Sequence, residues 1–319
     1  MKKSILLFIS VYPMLPIMYI ALRSLLKVHN NIILGVTIPY NHIENMKVKE
    51  NMNLYKKDLK KAFFFLSPIP IIPIFIKYYS IGITLDIIWI ILAVAIMMLI
   101  YIKYNRILHK MKKENEWNNS YDVLLGDEYA NEIQDKDVIK KKLDDDENWI
   151  YGMIYYNKND KHIMVSSRSG HGNYAFNMAS PVGKVIALIL VVIILSLPAV
   201  CVMAIREEFT PITISFSDES FNVHHIGTKY EIDAYDIKSI KLIESLPEHS
   251  KNSGTNMVNL EKGSFEVKGY GKCTLCLNPV NNKFIFIETV DKKYIFSGKD
   301  DDETEADFEE ILPEIVDKK

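Results

Sequence analysis

Residues 185–205 read VIALILVVIILSLPAVCVMAI, 21 positions without a charge. As a helix rising ~1.5 Å per residue, this run covers ~30 Å, the hydrocarbon thickness of a bilayer. Lipid offers a backbone no hydrogen bonds, so a helix that satisfies its own N–H and C=O groups is the expected state. The run splits the 319-residue chain in two. Before it lie further apolar stretches with basic flanks, and after it the pattern turns to short alternating segments. The expected class is an α+β membrane protein. It would have about four transmembrane helices, a small soluble β-hairpin module before the last of them, and a C-terminal antiparallel β-barrel capped by an α-helix.

Upstream, residues 4–22 are uncharged, contain Pro13 and Pro16, and follow Lys2 and Lys3. The stretch is longer than a leader's apolar core and no small-residue cleavage pattern follows it, which favours a first transmembrane helix over a signal peptide. Residues 83–102 form a second clear span. Residues 62–81 are apolar but hold Pro68, Pro70 and Pro73. They are expected as a kinked span, with a re-entrant piece as the alternative. A membrane region of three spans (4–22, 62–81 and 83–102) thus fills residues 1–113, and residues 183–205 add the fourth. Residues 41–61 read as a polar helix lying along the interface. Asp86, one turn inside its span, is the candidate intramembrane polar site. A carboxylate there reads either as an ion or proton ligand or, the favoured reading, as an interfacial residue beside Lys77, Tyr78 and Tyr79.

Charge follows the same division. Lys and Arg outnumber Asp and Glu by 14 to 4 in residues 1–110, whereas residues 206–319 carry 14 against 23. The acidic C-terminal part argues against nucleic acid and against anionic lipid as its main partner. Cys201 lies in the apolar run, and Cys273 and Cys276 form a lone C-x-x-C without a second ligand pair, so no metal site is expected. Positions i and i+3 on an extended strand are ~10 Å apart, too far for a disulfide. His224 and His225 are adjacent on a strand and point to opposite faces, which argues against a two-histidine metal site. No metalloprotease, nucleophile-elbow, phosphate-loop or kinase signature occurs. The expectation is no catalytic residue, no cofactor and no enzyme.

Residues 114–182 form the soluble module. Residues 118–143 are expected to be helical or partly disordered, and the acidic run 144–147 to be a solvated turn. Residues 150–156 and 163–165 are expected to pair as a hairpin around turn residues 157–160. Arg168, Gly170, His171 and Gly172 are the candidate loop site for an anion or a partner, since backbone N–H groups with an arginine can cradle an anion. A glycine needed only for a tight turn is the plainer reading. Trp149, Gly152, Tyr155, Tyr156, Asn157, Asp160, Val165, Arg168, Gly170, Gly172, Phe176, Asn177 and Pro181 follow the pattern of the DUF5808 domain, which this stretch resembles. The upstream LGVTIP at residues 34–39, flanked by spans, resembles the DUF1648 class of bacterial membrane proteins. Some members of that class act in immunity to secreted toxins and the associated signalling. Neither resemblance implies a catalytic residue.

In residues 206–319 the candidate strands are 212–216, 221–226, 229–232, 237–244, 264–268, 272–277, 283–289 and 293–297, with 245–263 as a mobile loop. Short strands at this spacing predict a small barrel or sandwich. A closing helix is expected to be capped by Asp302 with Glu305, to present Phe308, Ile311, Leu312 and Ile315 on one face, and to end or kink at Pro313. Residues 230–312, notably YEIDAYDIKSIKLIESLP and GSFEVKGYGKCTLCL, resemble the bacterial PH-domain family found on membrane proteins. No hairpin carries a dense Lys/Arg cluster, so phosphoinositide binding is not implied.

The functional expectation is a non-enzymatic, multi-pass protein of the bacterial cytoplasmic membrane. Its PH-like and DUF5808-like modules would bind a protein or peptide partner, in signalling or toxin immunity. The alternative is an accessory subunit of a transporter or channel. Eight Lys/Arg in residues 23–61 and five in 103–113 place those loops in the cytoplasm by the positive-inside rule, and the PH-like domain outside. Lys2, Lys3 and the usual cytosolic home of PH folds pull the other way.

Overall fold

The computed structural model describes residues 2–29, 31–117, 145–168 and 173–316. Residues 118–143, and Gly170, His171 and Gly172 of the candidate loop, lie outside the described residues. The chain divides into two compact units. The helical unit comprises Ile5–Ile74 and Leu85–Leu197; the sheet unit comprises Met1–Ser4, Phe75–Thr84 and Pro198–Lys319.

Among the described residues, three stretches are long and apolar enough to cross a membrane: Ile5–Ser24, Tyr79–Glu114 and Pro181–Phe209. The first is α1 (Lys2–Val11) and α2 (Met14–Ser24), with the break at Tyr12–Pro13. Beyond it come a two-strand hairpin, β1 (Ile32–Ile33) and β2 (Val36–Thr37), then α3 (Tyr40–Ile43), α4 (Met46–Leu66), α5 (Tyr79–Glu114) and, after the module, α6 (Pro181–Phe209). Only 6% of the apolar window of α6 is buried. A row of exposed leucines, isoleucines and valines of that length is stable against lipid and not against water.

The helical span expected at 62–81 is not formed. Helix α4 stops at Leu66, and Ile69–Phe75 is a 3-10 segment containing Pro70 and Pro73. The three prolines remove backbone donors and clash with preceding carbonyls, so an α-helix cannot run through them. Helix α4 packs lengthwise against α5. It runs antiparallel to α5: Asn51 Nδ2 meets Met111 Sδ at 3.3 Å, Lys103 Nζ meets Asp58 Oδ2 at 3.2 Å, and Trp89 Nε1 donates to Leu66 O at 3.0 Å. The core between α2, α4 and α5 holds Leu15, Leu22, Tyr55, Leu59, Trp89 and Tyr101.

The module departs from the single expected hairpin. β3 (Trp149–Ile150) pairs with β4 (Ile154–Tyr155), and β5 (Met164–Ser166) pairs with β6 (Tyr174–Phe176). Tyr151 and Gly152, at φ 52° and 69°, turn the chain inside the stretch read as one strand. Asn177 then organises the second half. It is fully buried, donates to the carbonyls of Asn157 and Asp160, and accepts from the N–H groups of Asn157 and Ala179.

The sheet unit carries β7 (Thr213–Ser217), β8 (Ser220–His225) and β9 (Thr228–Asp233) as one antiparallel sheet. A six-stranded sheet follows in the order β10-β14-β15-β13-β12-β11. Its strands are β10 (Ile237–Ile243), β11 (His249–Asn256), β12 (Glu261–Val267), β13 (Gly271–Leu277), β14 (Phe284–Thr289) and β15 (Lys293–Phe296). Only β13–β15 is a parallel pair. The two sheets do not join into a closed barrel, which corrects the expected closure. Apolar clusters lie on both faces of the large sheet, one with Phe221, Ile285 and Phe296, the other with Phe265, Leu275 and Phe286. Cys276 sits in the first and Cys273 in the second, on opposite faces of β13 as their spacing requires. The expected mobile loop contains β11. Its sequence HSKNSGTN has no apolar alternation because both faces of Ser250–Gly254 are exposed. The closing helix α7 (Asp301–Val316) is capped by Asp300, whose Oδ1 accepts from Glu303 N at 3.0 Å, and not by Asp302. Pro313 lies inside α7. Ile311 and Ile315 are buried as expected.

Candidate functional site

Two polar assemblies stand out, one in each unit. In the helical unit the β1–β2 turn puts Leu34 and Gly35 at positive φ. This turn meets the Tyr151–Gly152 turn so closely that a Cβ on Gly152 would lie 2.3 Å from Gly35 Cα. The Tyr101 hydroxyl lies 3.1 Å from Leu34 O and 2.6 Å from Tyr151 O, and Asn105 Nδ2 donates to Leu34 O at 2.7 Å. Helix α5 thereby satisfies the carbonyls that the two turns expose.

Arg168 closes this hub. It is 6% exposed. Nη1 donates to Gly35 O at 2.8 Å, and Nη2 donates to Thr37 Oγ1 at 2.8 Å and to Asp145 Oδ1 at 2.7 Å. Nη1 also pairs with Asp146, which in turn accepts from Lys112 Nζ at 2.8 Å and from the Thr37 hydroxyl at 2.9 Å. Burial opposes ionisation of Asp146, but Arg168 and Lys112 outweigh it and hold the carboxyl below the usual range. Within the acidic run read as a solvated turn, Asp146 is instead a buried counter-charge with Asp145 half-buried beside it, Glu147 is exposed, and Asp144 lies outside the described residues. With its terminal nitrogens committed to these acceptors, Arg168 faces the hub as a structural clamp.

Asp86 is 3% exposed on α5, and its Oδ1 has no hydrogen-bond partner. Protein side chains thus enclose the carboxylate on α5.

The sheet unit holds the second assembly, at the end of α6. Glu208 is 2% exposed. Its Oε2 accepts from Ser80 N at 2.9 Å and its Oε1 from Val258 N at 3.1 Å. One carboxylate thus joins the start of α5, the end of α6 and the turn between β11 and β12. Beside it Glu207 pairs with Lys262, Lys262 approaches His225 Nδ1 at 3.4 Å, and His225 Nε2 lies 3.2 Å from Thr210 O. Burial, with Lys262 adjacent, pushes His225 below its usual range. The C-terminal sheets are therefore clamped to helix ends, and strand β11 beyond the clamp presents an open sheet edge. Sequence reasoning missed Glu207, Glu208 and Lys262, since two glutamates after an apolar run read as an ordinary polar flank.

No nucleophile–base pair arises among these groups. Burial pushes Cys273 up to about 11 and Cys276 up to about 12, leaving both as neutral thiols. Among the described residues no group of His, Cys, Asp and Glu could hold a metal ion.

No curated protein and no solved structure is significantly similar to the chain. Residues 212–311, which run from the start of the β7 segment into α7, match the family of the bacterial PH domain.

Proposed function

We propose that this is a non-enzymatic integral protein of the bacterial cytoplasmic membrane whose PH-like domain binds a protein or peptide partner along strand β11. The supporting observation is the β11–β12 hairpin. Its outer strand exposes Ser250–Gly254, while the turn at its far end is held by Glu208 against α5 and α6. An extended segment can add to such an edge through main-chain hydrogen bonds. The bulge near Asn252 and the charge of Lys251 guard the edge against indiscriminate pairing. A partner added there would bear on the helix ends through Glu208, which suits signalling or toxin immunity. The DUF5808-like module, fastened by Arg168, is the second partner-binding element on this reading, and the DUF1648-like segment supplies its dock. The basic loops 23–61 and 103–113 favour the cytoplasmic side for both, and the opposite side for the PH-like domain. The proline-broken piece 67–78 would return the chain to the start of α5.

The test places a photoreactive residue at Ser250 and, as a control, at Val280. Crosslinks to one defined partner from Ser250 only, abolished by single prolines across residues 250–253 in a folded protein, support the reading. Equal crosslinking from both sites, or none, overturns it. Alkaline phosphatase fused after Lys319 is expected to be active.

Asp86 favours a second reading, an accessory subunit of a transporter or channel. Asp86→Asn would then reduce a measured flux, and an unchanged flux would remove this reading.

A further inference from the structure

Helix α4 and the proline-broken segment after it leave a groove against α5. A continuous helix would have filled the space, but Pro70 and Pro73 prevent one. The groove has a volume of about 210 Å³ and only apolar residues line it, among them Phe65, Pro70, Pro73, Leu85, Leu92 and Ile96. Trp89 also lines it, but its N–H is already taken by Leu66 O. From Leu85 to Ile96 the groove follows ~16 Å of helix, one leaflet's depth of a ~30 Å hydrocarbon core.

A basic row stands above one end. Lys61 is one turn before Phe65 on α4, and Lys57 one turn before Lys61, so all three share a face. Both lysines are exposed, as are Lys60 and Phe64, and Lys60 lies over the Phe64 ring at 5.8 Å. Asp58, the one carboxylate on this stretch of α4, is hydrogen-bonded by Lys103 and Tyr104 and also feels the charge of Lys61, one negative charge against the lysines at 56, 57, 60 and 61. Lys103 also marks the first charge after the apolar run of α5, so the row stands where the apolar depth ends.

We infer that this face binds one anionic phospholipid, its phosphate at Lys57 and Lys61 and one acyl chain in the groove between the 65–73 segment and α5. Charge selects the headgroup, since ammonium groups at a bilayer surface attract anionic lipid. The proline break shapes the space for the tail. A zwitterionic lipid with the same chains has the tail contacts without the net charge.

The experiment uses the full chain purified in mild detergent and offered phosphatidylglycerol or phosphatidylcholine of matched acyl chains, with bound lipid counted by native mass spectrometry. The expected result is at least a tenfold preference for phosphatidylglycerol. Lys57→Gln with Lys61→Gln should abolish the preference. Leu92→Trp, which fills the groove from an exposed position, should cut retention at least fivefold. Lys110→Gln with Lys113→Gln, which removes equal charge elsewhere on the surface, should change neither. Size-exclusion profiles report folding of each variant, and Ile88→Trp replaces Leu92→Trp if that one aggregates. Equal retention of the two lipids overturns the inference. So does loss of preference in the control pair, or retention unchanged by filling the groove.

Discussion

Arg168 and Phe284 are both buried side chains at the centre of their units, yet their surroundings share almost nothing. Around Arg168 every contact is directional: two carboxylates, a carbonyl, a hydroxyl and the ring of Trp149 at 5.6 Å. Around Phe284 the cluster is apolar throughout, with Phe265, Leu275 and Ile295. Apolar packing rewards area and tolerates small rearrangement, whereas a buried ion network tolerates loss of no single member. The helical unit thus fixes the mutual placement of two loops by polar geometry, and the sheet unit secures its fold by volume. Glu208 is the exception within the sheet unit, a polar clamp between the ends of α5 and α6 and the β11–β12 turn.

The contrast can be broken most directly at Arg168. Arg168→Met should cost about 3–5 kcal/mol, because Asp145 and Asp146 lose a buried counter-charge. Thermal unfolding of the full chain in detergent measures it, and a cost under about 1 kcal/mol would mean that the two units do not differ in this way. Glu208→Ala should cost about 2–3 kcal/mol by leaving Ser80 N–H and Val258 N–H without their acceptor. Hydrogen exchange at those two amides should rise while β14 stays protected. Phe286→Leu in the sheet core should cost no more than about 1.5 kcal/mol, since the neighbours can close part of the gap; urea titration reads this change.

Acid gives the smallest and most graded comparison. Asp146 is held below the ~3.9 of an unfolded chain, so its contribution is complete above that pH and is lost as pH falls through the folded value. His225 is likewise depressed below ~6.5, so the unfolded chain takes the proton first. Its contribution is complete above ~6.5 and declines as pH falls from there. Melting followed by a probe in each unit should show the His225 contribution to the sheet unit declining below ~6.5, offset in part by Asp307, which burial pushes up to about 6 so that its protonation favours the fold as pH falls, and the hub weakening only below about pH 4. His225→Gln should remove the first step alone.

Much of this architecture was legible in the residues. The uncharged run in α6, the alternation in β7–β10 and β12–β15, and the apolar face of α7 all follow from period and length. What escaped had physical causes. β11 is exposed on both faces, so it carries no alternation to detect. The 62–81 stretch has a span's hydropathy, but its prolines decide its conformation. Asp145 and Asp146 read as solvated because their partners, Arg168, Lys112 and Thr37, come from distant parts of the chain. The glycines of the two resemblances, Gly35 and Gly152, stood in the sequence as separate signals, and only the contact of their two turns, which leaves no room for a Cβ on either, explains why both are needed. Glu208 could not be singled out by any pattern, since its partners are backbone amides.

The distance along the chain between Gly35 and Arg168 has a consequence for biosynthesis. The two residues are 133 positions apart, and translation proceeds at ~5–20 residues per second. The 34–39 loop therefore waits several seconds after leaving the ribosome before its clamp exists, and during that interval Gly35 O lacks the Arg168 donor while Leu34 O can still be met by Tyr101 and Asn105. Ribosome-stalled chains ending shortly before Arg168 should leave the loop open to protease, and chains extended past the module should close it.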